Sequence, residues 1–261
     1  MKPHRPLLVV SAVLVLSAMP ATSGDTLVQV STIDALMKGI YDGACTFGAL
    51  RKLGDFGIGT LDELDGEMLA LDGDFYQFTA DGTAHKIDDA AETPFSAVTF
   101  FKGEKSARLG KTESMAALQT RLDAEAASEN LFHAIRITGE FSMMSFRSVS
   151  KQQVPYVTLP EAVKHQSVFK LENVRGTLVG FRCPPFVKGI NVPGYHFHFI
   201  SEDRKSGGHV IDCAVTGATA EWDVLENLKL LLPRDEAFLK ADFTTHDEKA
   251  LESVEKAPAA K

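Results

Sequence analysis

Three Asp-Gly dipeptides, Asp65-Gly66, Asp72-Gly73 and Asp81-Gly82, constrain this chain more than any other feature. Glycine after aspartate tolerates the positive φ of a tight hairpin turn, and the apolar runs between these turns are too short for helices. The spacing predicts a meander of strands over Glu67–Leu71, Asp74–Thr79 and Thr83–Ile87.

The remaining segments extend a sheet-rich pattern. "LVQVSTIDALMKGIYDG" carries apolar residues at Ile33, Leu36, Met37 and Ile40, a helical spacing that ends in a turn. "FSAVTFF" reads as strand and "SMAALQTRLDAEA" as helix. "LFHAIRITGEFSMMSFRSV" reads as two strands around Thr138-Gly139, "LPEAVKHQ" as a short helix, and "SVFKLENVRGTLVGFRCPPFV" as two further strands. No internal repeat and no Pro/Ser linker divides the chain. The expectation is an α/β (α+β) protein: a mixed or antiparallel sheet in an N-terminal part, 24–165, packed on a smaller C-terminal part, 166–261, with a soft boundary near 155 to 175.

With 261 residues, 44% hydrophobic, the chain can bury a substantial core. A formal net charge of -8 without a basic cluster argues against nucleic acid and anionic membrane surfaces as partners. The N-terminus, "MKPHRPLLVVSAVLVLSAMPATSG", has a basic start, an apolar run and small residues at Ala21 and Ser23, the pattern of a secretory signal over residues 1–23. The other reading, an uncleaved anchor, needs about 20 apolar residues, more than this run offers. Export is therefore expected, with no membrane association after signal removal. Three cysteines, Cys45, Cys183 and Cys213, form no framework; one bridge is possible, between an undetermined pair.

"GYHFHFISEDRKSGGHV" places His196, His198 and His209 within seventeen residues of a chain with eight histidines. Residues two apart on a strand share a face, so His196 and His198 point together while Tyr195, Phe197 and Phe199 face the other way. A hairpin pairing Ile200 with His209 brings the third imidazole to the same face. Three neutral imidazoles suit Zn2+ and leave a coordination position open, as in catalytic sites; iron and manganese fit the same donors. Two other readings stand beside this one. The histidines are unrelated residues on a polar strand face, or Cys213, which the same register puts near His196, closes the site as a structural fourth ligand.

Together "GDFGIGTLDELDGEMLALDGDFYQ", "GEFSMMSFRSVSKQQVPY" and "GYHFHFISEDRKSGGHVID" resemble the α-acetolactate decarboxylases over nearly the whole chain after the signal. The resemblance implies a mixed N-terminal sheet and a smaller β-barrel-like part carrying the metal. It implies zinc ligands at His196, His198 and His209, and further site residues at Thr60, Glu67 and Arg147. It also implies a C-terminal glutamate, for which Glu255 fits the family spacing best and Glu252 is the alternative. The implied reaction converts 2-acetolactate to acetoin and CO2 through a zinc-stabilised enediolate, with Zn2+ as electron sink.

On this reading Arg147 offers a planar fork for a carboxylate, and Glu67 and Glu255 serve proton delivery. A small-molecule substrate and a homodimer, the default for soluble enzymes of this size, are the expected partners. Two other functions remain compatible with the residues: an exported zinc-binding protein, and a metal-dependent lyase or hydrolase for another small oxo- or hydroxy-acid.

Overall fold

The computed structural model describes residues 25–126 and 128–255, so the expected signal segment 1–23 lies outside the described residues. The first strands are β1 (Thr26–Val30), β2 (Cys45–Thr46), β3 (Phe56–Thr60), β4 (Glu67–Leu71), β5 (Asp74–Phe78), β6 (Ala84–Lys86), β7 (Glu92–Thr93) and β8 (Ser96–Thr99). Then come β9 (Lys105–Leu109), β10 (Phe132–Ser148), β11 (Ser167–Cys183), β12 (Gly194–Ser201), β13 (Gly207–Leu225) and β14 (Asn227–Leu231). Short helices lie between and after them: α1 (Ile33–Met37), α2 (Phe47–Leu50), α3 (Met115–Asp123), α4 (Leu159–Ala162), α5 (Glu236–Lys240) and α6 (Glu248–Glu255). None of the described helices is long and apolar enough to cross a membrane.

The molecule is a mixed α+β structure dominated by two sheets. One has seven strands in the order β14-β1-β8-β3-β4-β5-β6; the other has five, β10-β11-β12-β13-β9, with a further pairing between β10 and β13. The meander expected from the Asp-Gly turns is present as β4, β5 and β6. Gly66, Gly73 and Gly82 all have φ between +81° and +82°, the left-handed turn geometry that glycine permits. Because β14 pairs in parallel with β1, and β9 and β10 pair with β13, each sheet draws on chain from both sides of residue 165.

Two expectations need correction. Phe132–Ser148 and Ser167–Cys183 are each one continuous strand of 17 residues, not two. Gly139, expected at a break between strands, instead faces Gly176 across the β10–β11 ladder. Glycine is required there by crowding: a Cβ on Gly139 would lie 2.4 Å from the Gly217 carbonyl oxygen, and one on Gly176 2.4 Å from the Phe199 ring. The predicted first helix is also shorter, since "LVQV" belongs to β1 and only Ile33–Met37 is helical.

Apolar side chains fall on two faces of the five-stranded sheet. Phe141, Met144, Phe146, Leu178, Phe197, Phe199 and Trp222 fill one cluster. Val179, Phe181 and Ile200 face Phe56, Ile58, Leu69 and Phe78 of the other sheet. Alternate residues of β12 thus enter opposite cores, and each buried aromatic contributes about 1.5–3 kcal/mol relative to exposure. The face of β12 that carries His198 is thereby pressed against β4.

Candidate metal centre

His196, His198 and His209 come together as the sequence predicts, by a register two residues from the expected one. His198, not Ile200, sits opposite His209, and Ile200 pairs with Gly207. An even shift preserves the facing of side chains, so the convergence survives. The three ligand nitrogens lie within 4.8 Å of one another, a spread that one ion with bonds of about 2 Å draws together. The ring centroids are 4.8 to 5.4 Å apart.

Cys213 does not join them. On β13, Val210 pairs with Phe146 and Asp212 with Ser145, so Ile211 is an extra residue that shifts the register. A one-residue bulge reverses the alternation beyond it. Cys213 therefore turns into the aromatic cluster with Phe141 and Phe199, where it is a fully buried free thiol. The closed structural site with a cysteine ligand is excluded by this geometry. Cys45 and Cys183 are free as well, so no bridge forms among the three.

The environment of His198 identifies which of its atoms is available. Nδ1 lies 2.8 Å from the Met68 carbonyl oxygen, an acceptor only, so Nδ1 carries the proton. That leaves a lone pair on Nε2, which is buried and has no hydrogen-bond partner. An orphaned imidazole nitrogen oriented by a backbone carbonyl is the arrangement of a metal ligand fixed by its outer partner. Burial lowers the pKa of all three imidazoles, most strongly at His198 and His209, which keeps the ring nitrogens free to bind an ion. His196 Nε2 lies 3.0 Å from His209 Nδ1.

Around the imidazoles stand two carboxylates and a guanidinium. Glu67 enters from the start of β4, with Oε2 at 3.6 Å from His198 Nε2 and Oε1 at 3.3 Å from Arg147 Nη1. Arg147 lies on β10 directly opposite His209 and donates through Nη2 to the Val254 carbonyl at 3.1 Å. Glu255, the last residue of α6, places Oε2 3.7 Å from His196 Nε2 and 3.8 Å from His209 Nε2. Burial pushes Glu67 up to about 7; Arg147 opposes that rise and Glu255 adds to it.

Thr60 is adjacent without touching the imidazoles in these contacts. It pairs with Glu67 across β3 and β4, and its hydroxyl donates to the Gly66 carbonyl at 2.6 Å, holding the turn that delivers Glu67. Of the two C-terminal glutamates, Glu255 reaches the imidazoles, while Glu252 lines the outer cavity. That cavity, about 810 Å³, opens onto His196, His209 and Glu255 between α3, α6 and the 188–197 segment. Met68 escaped the sequence reading because a carbonyl leaves no residue-type signal. Asp34 and His246, on the cavity wall, escaped it because no spacing rule links residues 212 positions apart.

Imidazoles with an orphaned nitrogen, facing a cavity and flanked by acid and guanidinium groups, define an enzyme site for a small molecule, since a structural metal site is closed. Comparison with known proteins assigns the lineage. A profile of the alpha-acetolactate decarboxylase family matches residues 27–245. The chain is 48% identical to the alpha-acetolactate decarboxylase of Methanosarcina mazei, covering 90% of this chain and 81% of that protein. It is 41% identical to that of Bacillus subtilis, covering 88% and 91%. The crystal structure of the enzyme from Bacillus subtilis strain 168 superposes with a TM-score of 0.87 over 89% of this chain and all (100%) of the other, at 40% identity. The chain belongs to the alpha-acetolactate decarboxylase family of carboxy-lyases.

Proposed function

We propose that this chain decarboxylates 2-acetolactate to acetoin and CO2, with Zn2+ held by His196, His198 and His209. The observation that carries the reading is the orphaned Nε2 of His198 beside the Glu67–Arg147 pair. Zn2+ at this place would supply Lewis-acid polarisation of the substrate's ketone and hydroxyl oxygens.

The residues of the chain account for the rest. Losing CO2 breaks the bond between the carboxylate and the hydroxyl-bearing carbon and sends the electron pair toward the neighbouring ketone. Arg147 presents a fixed fork for the departing carboxylate, with its Nη atoms already oriented by Glu67 and the Val254 carbonyl. The carbon then needs one proton to become acetoin. Glu67 and Glu255 approach the imidazoles from β4 and α6, and they serve to hold and deliver that proton and to orient the hydroxyl. Thr60 acts behind Glu67 by pinning the Gly66 turn. The ring of pairings β10–β11–β12–β13–β10 supports describing the metal-bearing part as a small barrel.

Release of CO2 and acetoin from racemic 2-acetolactate by the purified protein, abolished by chelator and restored by Zn2+, tests the proposal. Bound zinc without either product would leave a zinc-binding protein or an enzyme for another oxo-acid. Export of the chain after cleavage near Gly24 and assembly as a homodimer belong to the same reading; N-terminal sequencing and light scattering test them.

A further inference from the structure

Glu255 acts at the end of an element that cannot hold itself in place. Helix α6 has eight residues, too few for stability alone in water, and Val254 is the buried residue along it, with Leu251 packed partly against the same cluster. Its last turn is fastened where Arg147 donates to the Val254 carbonyl. Its entry needs a second anchor, roughly 10 Å away at the rise of an α-helix.

That anchor is built from residues to which the reaction assigns no part. Asp34, in the first turn of α1, is a buried carboxylate, and its Oδ2 bonds Nδ1 of His246, two residues before α6 begins. The imidazole lies over Gly189: a Cβ there would sit 2.5 Å from His246 Cε1 and 2.7 Å from Nδ1. Gly189 has φ +78°, and its carbonyl accepts from the Asp34 backbone N–H at 3.3 Å, so one glycine both seats the ring and holds the helix that supplies its partner. Lys188 joins the same patch by pairing with Glu248 at 2.8 Å. All of these residues line the mouth of the cavity onto which the imidazoles open.

The geometry points to Asp34 and His246 as a positioning pair, which clamps the entry of α6 so that Glu255 stays within reach of His196 and His209. The inference rests on the proposed role of Glu255. The clamp itself has a readout independent of turnover: amide hydrogen exchange over 248–255 in the zinc-loaded full chain. His246→Ala is expected to raise that exchange roughly tenfold, the signature of a local opening made easier. It should lower kcat by a similar factor while zinc content and KM change less than about twofold. His246→Asn, whose amide nitrogen stands where Nδ1 does and keeps an N–H donor for Asp34, should restore most of both losses. In a Glu255→Gln background, His246→Ala should lower kcat no further, because two residues acting through one group are not additive. Unchanged exchange in His246→Ala overturns the clamp. Losses that multiply in the double variant overturn its action through Glu255. Full activity of Glu255→Gln alone would instead sink the catalytic reading of Glu255, and the exchange data would separate that failure from failure of the clamp.

Discussion

Replacing Arg147 by Met tests the electrostatic design of the centre. Arg147 is 5% exposed, and its replacement removes the cation beside Glu67 and the donor to the Val254 carbonyl. Breaking a buried ion pair ordinarily costs about 3–5 kcal/mol because a charge is left uncompensated. Here the orphaned charge has an escape: Glu67 already sits at about 7, and without Arg147 its pKa rises further, so the variant takes up a proton instead. At pH 7 that uptake costs less than about 1 kcal/mol, leaving mainly the lost charged hydrogen bond, and the expected destabilisation is about 2 kcal/mol.

The pH dependence carries the sharper test. Above pH 7 unfolded Glu67 is ionised in both proteins; the folded variant keeps its proton and the folded wild type gives it up. The unfolded variant thus binds fewer protons than the folded one, and the variant loses about 1.4 kcal/mol per pH unit. Wild type, with Glu67 already about half titrated at pH 7, loses less than about 1 kcal/mol from this group between pH 7 and 9, so the gap should widen by about 2 kcal/mol over that range. Urea unfolding of metal-stripped wild type and variant at pH 7, 8 and 9 measures it. A gap that stays constant would show that Glu67 is not held in a dry site against Arg147, and the account of the pair would fail.

His196→Ala, His198→Ala and His209→Ala should each lose bound zinc and activity; stoichiometric zinc in the purified His209→Ala protein would reject the three-histidine centre. Glu67→Gln and Glu255→Gln should keep about one zinc per chain yet lose roughly 10²-fold in rate, whereas Glu252→Gln stays near wild type. A reversed order of Glu252 and Glu255 in the turnover assay would move the C-terminal role by one helical turn. Gly139→Ala should cost about 1–3 kcal/mol, because its Cβ would press within 2.6 Å of Gly217 and Ala218, while Gly217→Ala, with open space at its Cβ, should be nearly neutral. Equal unfolding midpoints for those two variants would refute crowding as the reason for glycine at 139.

Local chemistry was readable from the sequence. Asp-Gly turns specify their hairpins because only their own backbone torsions are involved, and β4, β5 and β6 lie within a residue or two of the predicted bounds. The alternation in "HFHF" likewise determined that two imidazoles share a face opposite Phe197 and Phe199, since side-chain direction on a strand follows from the pleat alone. The residues implied by the resemblance to a known family are ones the fold brings together, but their contacts were not legible in it.

Tertiary structure decided what depends on neighbours distant in sequence. Gly139 reads as a break, and only the strands packed on both sides show that it marks crowding within a long strand. The extra residue at Ile211 leaves no signal in composition, yet it turns Cys213 away from the histidines and leaves the centre open. The Met68 carbonyl that orients His198, the Arg147 guanidinium bound to both Glu67 and Val254, and the Asp34–His246 contact all join segments more than 75 residues apart. Such contacts exist only after the chain has folded, because their energy comes from burial that no local segment has by itself.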